Sequence, residues 1–152
     1  MTRLPSFEQT VRPEWIDYNG HMSEAFYVLV FGHATDAMMD AVGLGPTYRE
    51  RTGCSLYTVE AHVRYLSEVP EGAPLAVRTR VLGVAGKKLR FVHEMNVEEQ
   101  VVATSELFAL HVGAEGSVPF PDEVEQRLAD LVEEAPEWAG RAIAPVGWPG
   151  RC

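Results

Sequence analysis

A helix that is apolar on nearly every side, followed by a long series of segments alternating with period two, predicts an α+β domain. In that domain one antiparallel sheet curls around one long helix. A chain of 152 residues fits one such domain and can bury a core without staples. We expect a single domain over residues 1–135, in the order strand, long helix, four strands and a short final helix, with an irregular tail over 136–152.

Residues 7–11 alternate apolar and polar side chains and read as the first strand; Pro13 and Gly20 mark the turn that follows. Residues 23–42 have helical periodicity over about five turns. His33, Asp36 and Asp40 fall on one narrow stripe, while Phe26, Tyr27, Val30, Phe31, Ala34, Ala37, Met38 and Ala41 cover almost all the rest. So wide an apolar belt suits a helix wrapped on most sides. Gly43-Leu44-Gly45-Pro46 terminates it, and residues 47–53 read as a short connection.

From there the period is two. Tyr57, Val59, Ala61, Val63 and Tyr65 alternate with Thr58, Glu60, His62 and Arg64, which predicts a half-buried strand. Turns at 70–74, 85–87 and 98–100 separate three further strands, the second carrying Leu89, Phe91, His93 and Met95 on one face. The spacing predicts three consecutive hairpin-type connections. Residues 121–134 read as a short amphipathic helix, and the tail beyond Pro136 is rich in Pro, Gly and Trp.

Composition narrows the partners. Net charge is −9, and the sole basic cluster is Lys87-Lys88-Leu89-Arg90, so neither nucleic acid nor an anionic membrane is expected. The N-terminus lacks the apolar run of a secretory leader, and no apolar stretch approaches the roughly 20 residues of a spanning helix. Cys54 and Cys152 do not make a disulfide framework. The expected location is the cytoplasm.

The chemistry concentrates in Trp15-Ile16-Asp17-Tyr18-Asn19-Gly20-His21-Met22, just before the long helix. The first amides of a helix have no intrahelical acceptor and carry partial positive charge. A carboxylate beside them can attack or activate water while the amides hold negative charge on an acyl oxygen. Asp17 is the leading candidate, with Gly20, His21 and Met22 supplying backbone donors. Asp17 and Asn19 suit Asx turns equally well. His21 fits either an orienting or a loop-stabilising role, and Glu24 suits the positive helix end. The stripe His33, Asp36, Asp40 has metal-ligating side chains but no complementary motif, so no metal or cofactor is expected. Cys54 with His62 lacks the surroundings of a thiol nucleophile.

These residues carry a resemblance. Asp17-Tyr18-Asn19-Gly20-His21-Met22 is similar to the Asp-x-x-Gly-His-Val/Met signature of hotdog-fold thioesterases of the 4-hydroxybenzoyl-CoA thioesterase-like group, and the likeness runs over about residues 11–112. Three segments, 13–22, 31–37 and 57–62, more narrowly resemble the thioesterases of carnitine breakdown that act on betainyl-CoA. Ser23-Glu24 departs from relatives that carry asparagine there. The resemblance implies a hotdog fold and cofactor-free hydrolysis of a short-chain acyl-CoA. It also implies a homodimer or dimer of dimers, with Asp17 as the catalytic carboxylate.

The resemblance further implies that the strand carrying Glu60 and His62 lies at the dimer seam near the acyl pocket. Glu60 is then a secondary catalytic candidate, unless it pairs with Arg64 or Arg78. Trp15, Tyr18, Glu24, Tyr27, Tyr57 and His62 are candidates for the acyl group, with Phe26 and Tyr65 among the aromatics the fold would gather around it, since aromatic faces and carboxylates attract a quaternary ammonium. Lys87, Lys88 and Arg90 are candidates for the CoA phosphates, within one chain or from a neighbouring subunit. The competing readings are a non-catalytic acyl-CoA-binding protein and a hotdog hydratase or dehydratase.

Overall fold

The computed structural model describes residues 3–147, so Cys152 and the last residues of the expected tail lie outside the described residues. Strand β1 (Phe7–Thr10) leads through a 3-10 turn at Pro13–Trp15 to helix α1 (Glu24–Val42). Then come α2 (Pro46–Thr52), β2 (Ser55–Tyr65), β3 (Pro74–Ala85), β4 (Lys88–Val97), β5 (Gln100–Gly113), β6 (Gly116–Ser117) and α3 (Asp122–Asp130). All strand pairs are antiparallel, in the order β1-β3-β4-β5-β2, with β6 beside the end of β5.

α1 ends where Gly43 takes a left-handed conformation at φ 85°, and the Leu44 N–H closes on Met39 O at 2.8 Å. Its inner side chains include Val30, Phe31, Ala34, Met38 and Val42, all buried. The strands present Val77, Val81, Leu89, Phe91, Met95 and Leu107 toward the core, also buried. Each large apolar side chain so enclosed stabilises the fold by roughly 1.5–3 kcal/mol. The β3–β4 and β4–β5 hairpins close through two-residue turns between Ala85 and Lys88 and between Val97 and Gln100. Gly86 and Glu98 supply the positive φ such turns need.

Five expectations are corrected. Only two of the three expected hairpins form: β2 pairs with β5, and β3 pairs with β1. Residues 66–73 are therefore a crossover, held by Val69 O accepting the Met22 N–H and Ala73 O accepting the Val11 N–H. Secondly, the connection after α1 is helical. Pro46 starts α2, Gly53 caps it in the left-handed region, and Tyr48 anchors it by a 2.8 Å hydrogen bond between its hydroxyl and His111 Nε2. His111 Nδ1 donates to Val118 O, so the tyrosine hydroxyl is the donor in that pair.

Thirdly, a bulge between Thr58 and Glu60 breaks the alternation of β2. Because the side-chain period is two, one inserted residue moves everything after it to the opposite face. Thr58, Ala61, Val63 and Tyr65 pair with inward residues of β5, while Tyr57, Glu60 and His62 pair with Leu110, Phe108 and Glu106 on the outer face. Fourthly, the helix is not covered all round within one chain: Ala25, Val28, Leu29 and Gly32 are exposed. The final helix is shorter than predicted, ending at Asp130.

Beneath α1, His93 is fully buried and joins helix to sheet. Its Nδ1 lies 2.8 Å from the Thr79 hydroxyl and its Nε2 lies 2.8 Å from the Thr35 hydroxyl. Thr35 donates to Phe31 O, so Nε2–H donates to Thr35 and Thr79 donates to Nδ1. The Phe31 ring stacks on the imidazole at 5.7 Å. Burial lowers the His93 pKa from 6.5 to about 3. Below pH 6.5 the unfolded chain takes up a proton here, which the folded chain refuses until about pH 3. This contribution is complete above that window and is lost as pH falls through it, by up to ~5 kcal/mol. Urea denaturation from pH 7 to pH 4 should show stability falling in the parent protein. His93→Gln should start lower and fall less steeply, and equal slopes would assign the loss to other groups.

Candidate active site at the mouth of the long helix

The 3-10 turn and the crossover shape the segment that precedes α1. Trp15 is buried and stacks on Phe26 at 5.5 Å, with the Arg12 guanidinium over its ring. It is thus a wall of the core that fixes where the loop departs. Ile16 and Met22 bridge as a minimal antiparallel pair, with Asp17 N–H donating to His21 O and Ser23 N–H to Trp15 O. Between them the chain turns at Gly20, whose φ is 84°. A side chain is disfavoured there by the backbone angle alone, since a Cβ would meet nothing within 4 Å.

Asp17 sits at the turn, half-buried, with Oδ1 accepting the Asn19 N–H at 2.8 Å. That is an Asx turn, and it orients the carboxylate. Among the described residues Oδ2 has no hydrogen-bond partner. The amides divide into two groups. Gly20 N–H donates to Asp17 O at 2.9 Å and Met22 N–H to Val69 O at 2.8 Å, so both are committed. His21, Glu24 and Ala25 keep N–H groups without acceptors among the described residues, and the Ser23 side chain does not cap the helix. A carboxylate with one free oxygen therefore stands beside an uncapped, partially positive helix start.

A groove of about 310 Å³ opens at this mouth, between Met22, Glu24 and Tyr27 on one side and Tyr65, Leu66 and Glu68 on the other. His21 Nε2 is 3.3 Å from the Glu68 carboxylate, linking the loop to the groove. Tyr27 is buried and donates to Ser67 O at 3.0 Å. Burial, and then the Glu68 charge and Tyr65, push its pKa above the usual tyrosine value. Ser67 and Glu68 were absent from the site predicted by sequence. They precede a proline-rich turn, and only the crossover carries them to the helix mouth.

The structure thus brings together Trp15, Asp17, Asn19, Gly20, His21, Met22, Glu24 and Tyr27. Tyr18 stands at the loop tip, 98% exposed. Glu60 and His62 lie elsewhere, on the outer sheet face in a second groove of about 380 Å³ shared with Arg90, Glu106 and Arg141. Arg90 pairs with Glu106 at 2.7 Å, and Arg78 with Glu133, so Arg78 is not the partner of Glu60. Tyr57 shares the outer face with Glu60. Lys87 and Lys88 occupy the β3–β4 turn, at the end of β4 opposite Val97, so about 30 Å of strand separates them from the crossover end. On α1, His33 Nδ1 pairs with Gln9 Oε1 at 2.8 Å, and the described residues hold no cluster of three or more metal-ligating side chains. No described helix is long and apolar enough to cross a membrane.

One helix clasped by a curled antiparallel sheet, with a poised carboxylate at the helix mouth, is the arrangement of a hotdog-fold thioester hydrolase. Residues 11–128 match the Thioesterase-like superfamily, and the chain belongs to that family. It is 44% identical over 149 residues to the betainyl-CoA thioesterase of Pseudomonas aeruginosa, spanning 92% of this chain and 94% of that protein. Among solved structures, a Staphylococcus aureus protein in complex with CoA superposes with TM-score 0.87 at 27% identity, over 96% of this chain and 98% of that one. A Pseudomonas putida KT2440 protein assigned as a thioesterase gives TM-score 0.81 at 38% identity, over 96% and 99%.

The loop geometry makes its own prediction. Gly20→Ala should fold but lose about 1–2 kcal/mol to the left-handed backbone angle. That corresponds to a melting point lower by several degrees in a chain of this size. An unchanged melting point would mean that the turn relaxes without strain.

Proposed function

We propose that this chain hydrolyses betainyl-CoA to betaine and CoA, with Asp17 delivering the attack on the thioester carbonyl, directly or through a water. The tetrahedral oxyanion is held by the open amides of His21, Glu24 and Ala25, and the CoA thiolate departs as the carbonyl reforms; on the direct route water then cleaves the Asp17 acyl anhydride, releasing betaine and restoring the carboxylate. The observation that carries this reading is the free Asp17 oxygen beside an uncapped helix start. The similarity to the Pseudomonas aeruginosa betainyl-CoA thioesterase supports the acyl group, and the CoA complex of the Staphylococcus aureus neighbour supports the carrier. Asn19 and Gly20 set the carboxylate, and His21 braces the loop against Glu68. A free Cys54 and a CoA thioester substrate both fit the cytoplasm. Asp17→Asn should keep the fold and lower CoA release by at least about 100-fold. Undiminished release would remove Asp17 from the mechanism.

We further propose that the working unit is a dimer paired through β2. This 11-residue strand is a sheet edge with Tyr57, Val59 and Tyr65 exposed, and Val28 and Leu29 of α1 are exposed as well. A long apolar edge is a template for pairing, and a two-fold axis would cover it with a second copy. Antiparallel pairing about the strand midpoint sets the Ser55 end of one copy against the Tyr65 end of the other. The basic turn Lys87-Lys88, near the Ser55 end, then approaches the helix mouth of the second copy, where Arg90 and the outer groove extend the CoA path. Mixing Asp17→Asn chains with Lys87→Glu/Lys88→Glu chains should restore activity to about a quarter of the parent level, since one site of each mixed dimer is intact. No recovery would place the lysines in the same-chain site, and full activity of the Lys87→Glu/Lys88→Glu chains alone would place them outside the reaction.

A further inference from the structure

We infer that the groove walled by Tyr27, Tyr65, Glu24 and Glu68 is a quaternary-ammonium pocket that selects the cationic end of the acyl group, an assignment that rests on the thioesterase reading above. The two tyrosine rings meet edge to face, 5.1 Å apart and at 86°. Each hydroxyl is directed to a backbone carbonyl, Tyr27 to Ser67 O at 3.0 Å and Tyr65 to Glu24 O at 3.5 Å. The rings are therefore held as two perpendicular walls, and neither hydroxyl competes for the carboxylates. A trimethylammonium group has no N–H to donate, so its recognition depends on aromatic surfaces and on negative charge nearby.

Both conditions are met here and not in the second groove. Glu24 and Glu68 line the pocket, and no lysine or arginine does. Their charge reaches the rings: after burial, Glu68 is the next cause raising the Tyr27 pKa, and Glu24 that raising the pKa of Tyr65. The outer groove instead mixes Glu60 and Glu106 with Arg90 and Arg141, which neutralises any preference for a cation. At about 310 Å³ the helix-mouth groove is within the range for a small ligand. Tyr65 is 45% exposed, so its ring is accessible to an entering acyl group.

The test compares betainyl-CoA with tert-butylacetyl-CoA, in which carbon replaces the quaternary nitrogen without changing shape. The parent protein should favour the cationic substrate in kcat/KM by about 10-fold or more. Tyr65→Leu and Glu68→Gln should each reduce that ratio several-fold, and Tyr65→Phe should preserve the ratio. Equal use of the two substrates by the parent, or a ratio unmoved by both Tyr65→Leu and Glu68→Gln, overturns the pocket. The same ratio is read as binding affinity on Asp17→Asn by calorimetry. If the parent hydrolyses neither thioester, the catalytic reading fails, and the affinity ratio still decides the pocket.

Discussion

The constraint on which the rest depends is the seating of α1 in the concave face of the sheet. A nineteen-residue helix packs against the sheet with Val30, Phe31, Ala34 and Met38 inward, and the sheet curls to meet it. Apolar contact alone would leave the helix free to slide, because such packing is non-directional. His93 removes that freedom. Its two ring nitrogens are bonded to Thr79 on the sheet and Thr35 on the helix, and any shift would leave buried polar atoms without partners. The helix mouth, where the proposed chemistry sits, is thereby set at one place relative to the crossover.

The catalytic loop inherits its shape from that seating. Val69 on the crossover receives the Met22 amide, and Trp15 receives Ser23 through its carbonyl, so the loop is clamped from both sides of the helix start. Clamping consumes the Gly20 and Met22 amides and leaves those of His21, Glu24 and Ala25 open. The same segment supplies Ser67 and Glu68 to the groove wall. One stretch of chain thus positions the Asp17 carboxylate and borders the proposed acyl pocket, which would couple the proposed catalysis to substrate shape.

The legibility of the site followed its locality. Asp17, Asn19, Gly20 and His21 stand within a few residues of one another, so a turn between a strand and a helix could be read from them directly. Ser67 and Glu68 lie about forty residues on, and nothing in their spacing announces a shared groove with Glu24 and Tyr27. The resemblance puts the strand of Glu60 and His62 at a dimer seam, and unbroken alternation would set Tyr57 on the face opposite to them. The bulge at Val59 brings Tyr57 onto their outer face. A bulge is decided by how β2 must bend against β5, which no local pattern encodes.

By itself the amino-acid order determined the helix, the strands, the two tight hairpins and the loop with its carboxylate, because each depends on periodicity, turn residues or neighbours in the chain. It also carried the family likeness, through the Asp17 to Met22 segment. Only the tertiary structure decided that β2 pairs with β5 instead of β3, which amides stay open and which aromatic rings face the groove. Those outcomes depend on contacts between residues far apart in sequence, where the competition among hydrogen-bond partners is settled by packing and not by propensity.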